Sequence, residues 1–277
     1  MGNSTRPLPG GIPPSLLIVV PTLNSHSLLP RLLSSLQQQT WPHWQLLFVD
    51  GPSGLEHRQW LERCCAGETR CRWIEQNPSE PGIFGAMNQG FAEAVPHDWL
   101  LFWGSDDWAA GPTVLGRVAA ALEKVASLGT TPDLLVCLGR YADAASGSLT
   151  RSTMFQPAGL ISSAAYRRAL LLGSTPPHQA TLLGPGARRR LARYDPGFRL
   201  SADLDYFLQL SRSVDLVVQT LDLELVHMAA GGISGQQTQR RLQEVRRAYR
   251  RAFGWRWWFP FVARYVRRLV SLLERNA

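Results

Sequence analysis

The chain has 277 residues, 45% hydrophobic and 18% charged, so it can bury a full core and is too apolar to be disordered. Its formal charge of +8 favours anionic partners: nucleotide phosphates, nucleic acid or an anionic membrane surface. There is no signal-peptide pattern at the start and no run of about 18 apolar residues to span a bilayer.

Cys64, Cys65, Cys71 and Cys137 form no regular framework, which fits reduced thiols in a cytoplasmic protein better than disulfides or zinc. Met1 to Pro14, rich in Gly and Pro, read as a loose leader. Ser15 to Val20 is a short apolar run that Pro21 stops, as a buried first strand would. Thr22, Asn24 and Ser25 follow, and Leu28, Leu29, Leu32, Leu33 and Leu36 then recur at helical spacing. A second strand, Gln45 to Val49, ends on Asp50-Gly51-Pro52-Ser53. Strands ending in polar turns predict an α/β sheet with its ligand edge on one side.

Helical periodicity returns around Gln59 to Cys65, and Cys71 to Ile74 is a third strand. The loop Ser79-Glu80-Pro81-Gly82-Ile83-Phe84-Gly85-Ala86-Met87-Asn88-Gln89-Gly90 opens a helix. Gly82 and Gly85 let backbone approach a ligand and Asn88 can donate and accept; an ordinary helix start explains them too. Trp99 to Trp103 is then an apolar run that breaks at Gly104-Ser105 and delivers Asp106 and Asp107. Two hard oxygen donors at a strand's carboxyl edge suit Mg²⁺ or Mn²⁺, which would in turn hold a phosphate. The alternative is a capped turn before Pro112.

These four segments, in this order and spacing, resemble the inverting glycosyltransferases of family 2, and within them the bacterial group that builds exopolysaccharide and cell-surface glycans. The resemblance covers roughly Leu16 to Ser234. It implies the GT-A fold, an α/β, Rossmann-like architecture with a mostly parallel central sheet flanked by helices. It also implies a hexosyltransferase-type enzyme using Mn²⁺ or Mg²⁺ and a nucleotide-sugar donor, a UDP-sugar foremost, with a glycan or lipid-linked acceptor. Pro21, Thr22, Asn24, Asp50, Ser53, Gly82, Asn88 and Asp106 would bind the donor, and Asp107 the metal. The family's loop often reads Glu-Pro-Asp-Lys-Gly-Ile-Tyr-Asp-Ala-Met-Asn. Here the Asp-Lys pair between Pro81 and Gly82 is missing and Gly85 stands where the second Asp would be. Leu23 replaces an aromatic common there.

Val114 to Leu128 reads as a surface helix and Asp133 to Leu138 as a strand. Tyr141 to Leu160 reads as polar, acceptor-facing loop, and Ala164 to Leu172 as a short helix. His178 in Pro176-Pro177-His178-Gln179 matches a family segment; it can hold a phosphate or metal, or simply pack. Asp203 and Asp205 sit at a helix start, where Asp203 fits an N-cap and Asp205 a first-turn charge. The resemblance instead makes Asp203 the catalytic base of inverting transfer. Val214 to Val218 and Leu221 to Val226 are strand-like runs, and Gly231-Gly232-Ile233-Ser234 resembles a family loop.

The expected organisation is a leader (1–14), a GT-A domain (15–235) and a basic, aromatic helical extension (236–277). In the extension Arg240, Arg241, Arg246, Arg247, Arg250 and Arg251 form a basic helix face before Trp255, Trp257 and Trp258. Such a segment lies at an anionic membrane surface, packs on the domain, or is merely solvated. Peripheral contact at the inner face of the plasma membrane is one expectation. A non-catalytic partner subunit and a nucleic-acid-binding protein are the competing readings.

Overall fold

The computed structural model describes residues 13–143, 147–229 and 238–273, excepting the side chains of 268–273. Most of the expected leader and the Gly231 to Ser234 loop lie outside the described residues. The first half alternates strand and helix: β1 (Ser15–Thr22), α1 (Leu29–Gln37), β2 (Trp44–Asp50), α2 (Leu55–Gly67), β3 (Cys71–Glu75), α3 (Ile83–Glu93) and β4 (Asp98–Phe102). Next come β5 (Trp108–Ala109), α4 (Val114–Ser127), β6 (Leu134–Ala142), β7 (Leu149–Ser152), β8 (Leu160–Ser162) and α5 (Ser163–Leu171). The chain closes through β9 (Thr181–Leu183), α6 (Pro185–Arg190), α7 (Ala202–Leu210), β10 (Val217–Ala229), α8 (Thr238–Phe253) and α9 (Trp258–Leu273).

One ten-stranded sheet runs in the order β3-β2-β1-β4-β9-β6-β10-β5, with β7 on β6 and β8 on β10. β3, β2, β1 and β4 are parallel, so β1 sits between β2 and β4 and their carboxyl ends share one edge. Beyond β4 the pairing is mixed: β9 is antiparallel to both neighbours, and β6 and β10 are parallel.

Strand alternation sends successive side chains to opposite faces. Leu17, Val19, Leu47 and Val49 join α3, α5, α7 and α8 in one core, whereas Leu16, Ile18, Leu46 and Phe48 join α1 and α4 in the other. Two sequence expectations change. Part of the Tyr141 to Leu160 segment is strand, because β7 pairs antiparallel with β6 and completes its edge. The two expected runs, Val214 to Val218 and Leu221 to Val226, join from Val217 on into one strand, β10, whose register shifts after Thr220 and Glu224 carry it past the polar interruption. The extension packs: Val245, Ala248, Tyr249 and Ala252 of α8 are buried in the first core. Among the described residues no helix is long and apolar enough to cross a membrane.

Candidate active site

The carboxyl ends of β1 and β2 are tied by side chains. Asp50, at the end of β2, is fully buried, and its Oδ1 accepts from Thr22 Oγ1 at 2.9 Å and Ser53 Oγ at 2.7 Å. His57 Nε2 lies 3.0 Å from the same oxygen, and burial holds the His57 pKa below its ordinary value against the pull of Asp50. Asp50 Oδ2 has no hydrogen-bond partner, and Arg58 Nε stands 4.0 Å away. Asn24 crosses between the two loops: its N–H donates to Ser53 Oγ at 2.9 Å and its Oδ1 accepts from the Gly54 N–H at 2.8 Å. It does so at φ 50°, a left-handed conformation Asn tolerates better than most residues.

The end of β4 joins this edge through Ser105, whose hydroxyl donates to the Pro21 carbonyl at 3.1 Å and accepts from Ser25 at 2.9 Å. The turn that follows is built by Asp107, whose Oδ2 accepts from the Gly104 N–H at 2.6 Å. Burial pushes the Asp107 carboxyl well above the usual range and raises Asp106 too; among the described residues no basic side chain offsets either. Closely spaced carboxylates without a countercharge are a donor set that fits a hard divalent cation. Among the described residues no three His, Cys, Asp or Glu side chains gather as a metal group. An ion here would therefore take its remaining ligands from phosphate or water.

The loop before α3 explains its own departures from the family pattern. Gly82 opens the helix at φ 90°, which only glycine adopts without strain. Gln76 Nε2 donates to the carbonyls of Glu80 at 2.8 Å and Gly82 at 2.7 Å, holding the shortened loop tight. A side chain at Gly85 would collide with the Glu80 carbonyl. In this loop there is accordingly no room for an Asp side chain at position 85.

Asn88 is buried and ties α3 to Tyr194: its Nδ2 donates to the Tyr194 carbonyl at 3.1 Å and its Oδ1 accepts from the Tyr194 N–H at 2.8 Å. The Tyr194 hydroxyl meets His178 Nε2 at 2.7 Å, and the His178 ring stacks on Phe102 at the end of β4. Burial lowers the His178 pKa, and the charge of Asp203 works against that fall. Asp203 itself is half-buried in the first turn of α7. Its carboxylate makes no hydrogen bond to the described residues. Asp205, two residues on, is buried and bonded to Gln209 and Arg251.

The sequence-predicted residues thus form two groups. Pro21, Thr22, Asn24, Asp50, Ser53, Asp106 and Asp107 lie along one sheet edge, Asn88, His178 and Asp203 gather around Tyr194, and Gly82 stands apart in the loop that opens α3. Sequence reasoning missed His57 and Tyr194. A helical i, i+4 pairing of His57 with Leu61 was the available signal for a buried His, but not for its partner.

Residues 17–151 match the family model "Glycosyl transferase family 2". A PGL/p-HBAD biosynthesis glycosyltransferase of Mycobacterium bovis is 29% identical over 222 residues, spanning 80% of this chain and 79% of that protein. Among solved structures, S. aureus TarS in complex with UDP-GlcNAc superposes with a TM-score of 0.64 at 16% identity, over 85% of this chain and 65% of the other. The mannosyltransferase PcManGT from Pyrobaculum calidifontis, in complex with GDP-Man and Mn²⁺, gives a TM-score of 0.58 at 14% identity over 87% of this chain. The chain spans just under two thirds of each of these solved chains.

Proposed function

We propose that this chain, a glycosyltransferase of family 2 with the GT-A fold, moves a sugar from a nucleotide-sugar donor to a glycan or lipid-linked acceptor with inversion at the anomeric carbon. One observation carries the reading: Thr22 and Asp50, the last residues of β1 and β2, and the Asp106–Asp107 turn after β4 stand at the carboxyl edge of three adjacent parallel strands, where open α/β sheets bind ligands. The donors held by the structural neighbours, UDP-GlcNAc and GDP-Man, support a nucleotide sugar, with a UDP-sugar foremost.

Pro21, Thr22, Asn24 and Ser53 frame the nucleoside end, organised by Asp50, whose carboxylate would accept from the base or ribose once a nucleotide opens the buried pair of loops it ties together. Asp50→Ala is expected to weaken nucleoside diphosphate binding by about 1–3 kcal/mol, the range for a hydrogen-bonded group left without its partner. Isothermal calorimetry reads this directly, and unchanged affinity would move the nucleoside site elsewhere.

Asp107, with Asp106, would hold Mn²⁺ or Mg²⁺, and such an ion supplies positive charge beside the departing diphosphate. His178 would serve the same phosphate end, while Gly82 and Asn88 keep the α3 loop beside it. Asp203 removes the proton from the acceptor hydroxyl as that oxygen attacks from the face opposite the leaving nucleotide.

The tail supports a lipid-linked acceptor at a membrane face in surface polysaccharide synthesis. Trp255 is 76% exposed, and Trp258, Phe259, Val262 and Val266 leave an apolar face on α9 beside Arg256. Trp255→Ala with Trp258→Ala is expected to lower partition onto anionic phospholipid vesicles by roughly tenfold. Equal sedimentation of wild type and variant with vesicles would remove the membrane from the reading.

The activity is tested by nucleotide release from a panel of nucleotide sugars with Mn²⁺, with and without lipid-linked acceptors. Release from none of them would favour the non-catalytic partner reading.

A further inference from the structure

The basic stripe of α8 turns partly inward, onto the segment that carries Asp203. Arg240, Glu244, Arg247 and Arg251 lie at i, i+4, i+7 and i+11, one face of the helix. Glu244 is buried, and its carboxylate accepts three consecutive backbone N–H groups: Arg199 at 3.0 Å, Leu200 at 2.8 Å and Ser201 at 3.0 Å. Ser201 is the N-cap residue of α7, and its own side chain makes no capping bond. The entry into α7 is therefore set by a carboxylate delivered from another helix. Arg247 donates to the Gly197 carbonyl at 2.5 Å and lies over the Phe198 ring. Arg251 Nη1 bridges Asp195 Oδ2 at 2.6 Å and Asp205 Oδ2 at 2.9 Å. From Asp195 to Asp205 the segment is thus held from one side by α8, and half-buried Asp203 is a member of it whose carboxylate makes no hydrogen bond to the described residues.

We propose that Glu244 and Arg251 are positioning residues for the transfer step, fixing the start of α7 so that the Asp203 carboxylate meets the acceptor hydroxyl. This rests on the reading of Asp203 as the base. A carboxylate receiving several backbone N–H groups cannot be replaced by an amide of the same shape, because one of the amide's termini is itself a donor. A displacement of about 1 Å at a base is enough to cost on the order of 10²-fold.

Glu244→Gln, Glu244→Asp and Arg251→Gln are compared with wild type for thermal midpoint, nucleotide-sugar KM and transfer kcat. Glu244→Gln is expected to lower kcat by roughly 10–100-fold, with donor KM within about twofold. Glu244→Asp should recover part of that loss, because it restores an all-acceptor head group. A merely structural role would lower the thermal midpoint and leave kcat per folded molecule intact, and that result overturns the proposal. If Glu244→Gln does not fold, Arg251→Gln carries the test: a tenfold or greater fall in kcat supports it and an unchanged kcat overturns it. Asp203→Asn in parallel separates the two failures. An inactive Asp203→Asn beside a fully active Glu244→Gln refutes only the positioning role, whereas an active Asp203→Asn refutes the base itself.

Discussion

Asp203→Asn is expected to lower turnover by about 10²–10⁴-fold, the usual contribution of general-base catalysis, with donor and metal affinity nearly unchanged. The loss is confined to the transition state because a general base acts on the acceptor hydroxyl and need not touch the donor nucleotide. Its side chain is half-buried and has no hydrogen bond to the described residues, so no protein donor has to be displaced when a hydroxyl approaches. Asp205 is the contrasting case. Burial pushes its pKa up to about 6, and its oxygens are engaged by Gln209 and Arg251. Asp205→Asn should therefore act through the packing of α8 and appear as a lower thermal midpoint. Near-normal turnover of Asp203→Asn with its true acceptor would make that residue a helix-start charge and send the search for a base elsewhere.

Asp107→Asn is expected to abolish Mn²⁺-supported transfer while the protein stays folded, and EDTA should do the same to wild type. The amide keeps an oxygen that can accept from the Gly104 N–H, so the turn after β4 survives the change. What disappears is the negative charge, in a place where burial already disfavours it without a cation. The thermal midpoint should accordingly hold or rise in the metal-free variant. Asp106→Asn should be milder, since that side chain is only partly buried and makes no comparable turn bond. Full activity of Asp107→Asn, or of wild type in EDTA, would end the metal assignment.

The strand ends were legible because each is a local event: a buried strand is a continuous apolar run, and the polar residue that stops it stands at the sheet edge. Val20-Pro21-Thr22, Val49-Asp50 and Trp103-Gly104 with Asp106 and Asp107 could be read this way one at a time. That they share an edge follows from parallel pairing of β2, β1 and β4, which right-handed crossovers through helices favour. The second half was less legible because its contacts are not local. Helical spacing put Glu244, Arg247 and Arg251 on one face but did not say whether that face meets lipid, water or protein. Only the docking of α8 against α7 decides it, when burial of Val245, Ala248 and Tyr249 turns the stripe toward residues 43 to 56 positions earlier. The same holds for Asn88 with Tyr194, and for His57 against Asp50. The sequence by itself determined which groups stand at the strand ends, since backbone alternation and turn chemistry act over a few residues. Tertiary packing alone decided what holds Asp203, since a buried carboxylate must find its donors wherever the chain brings them.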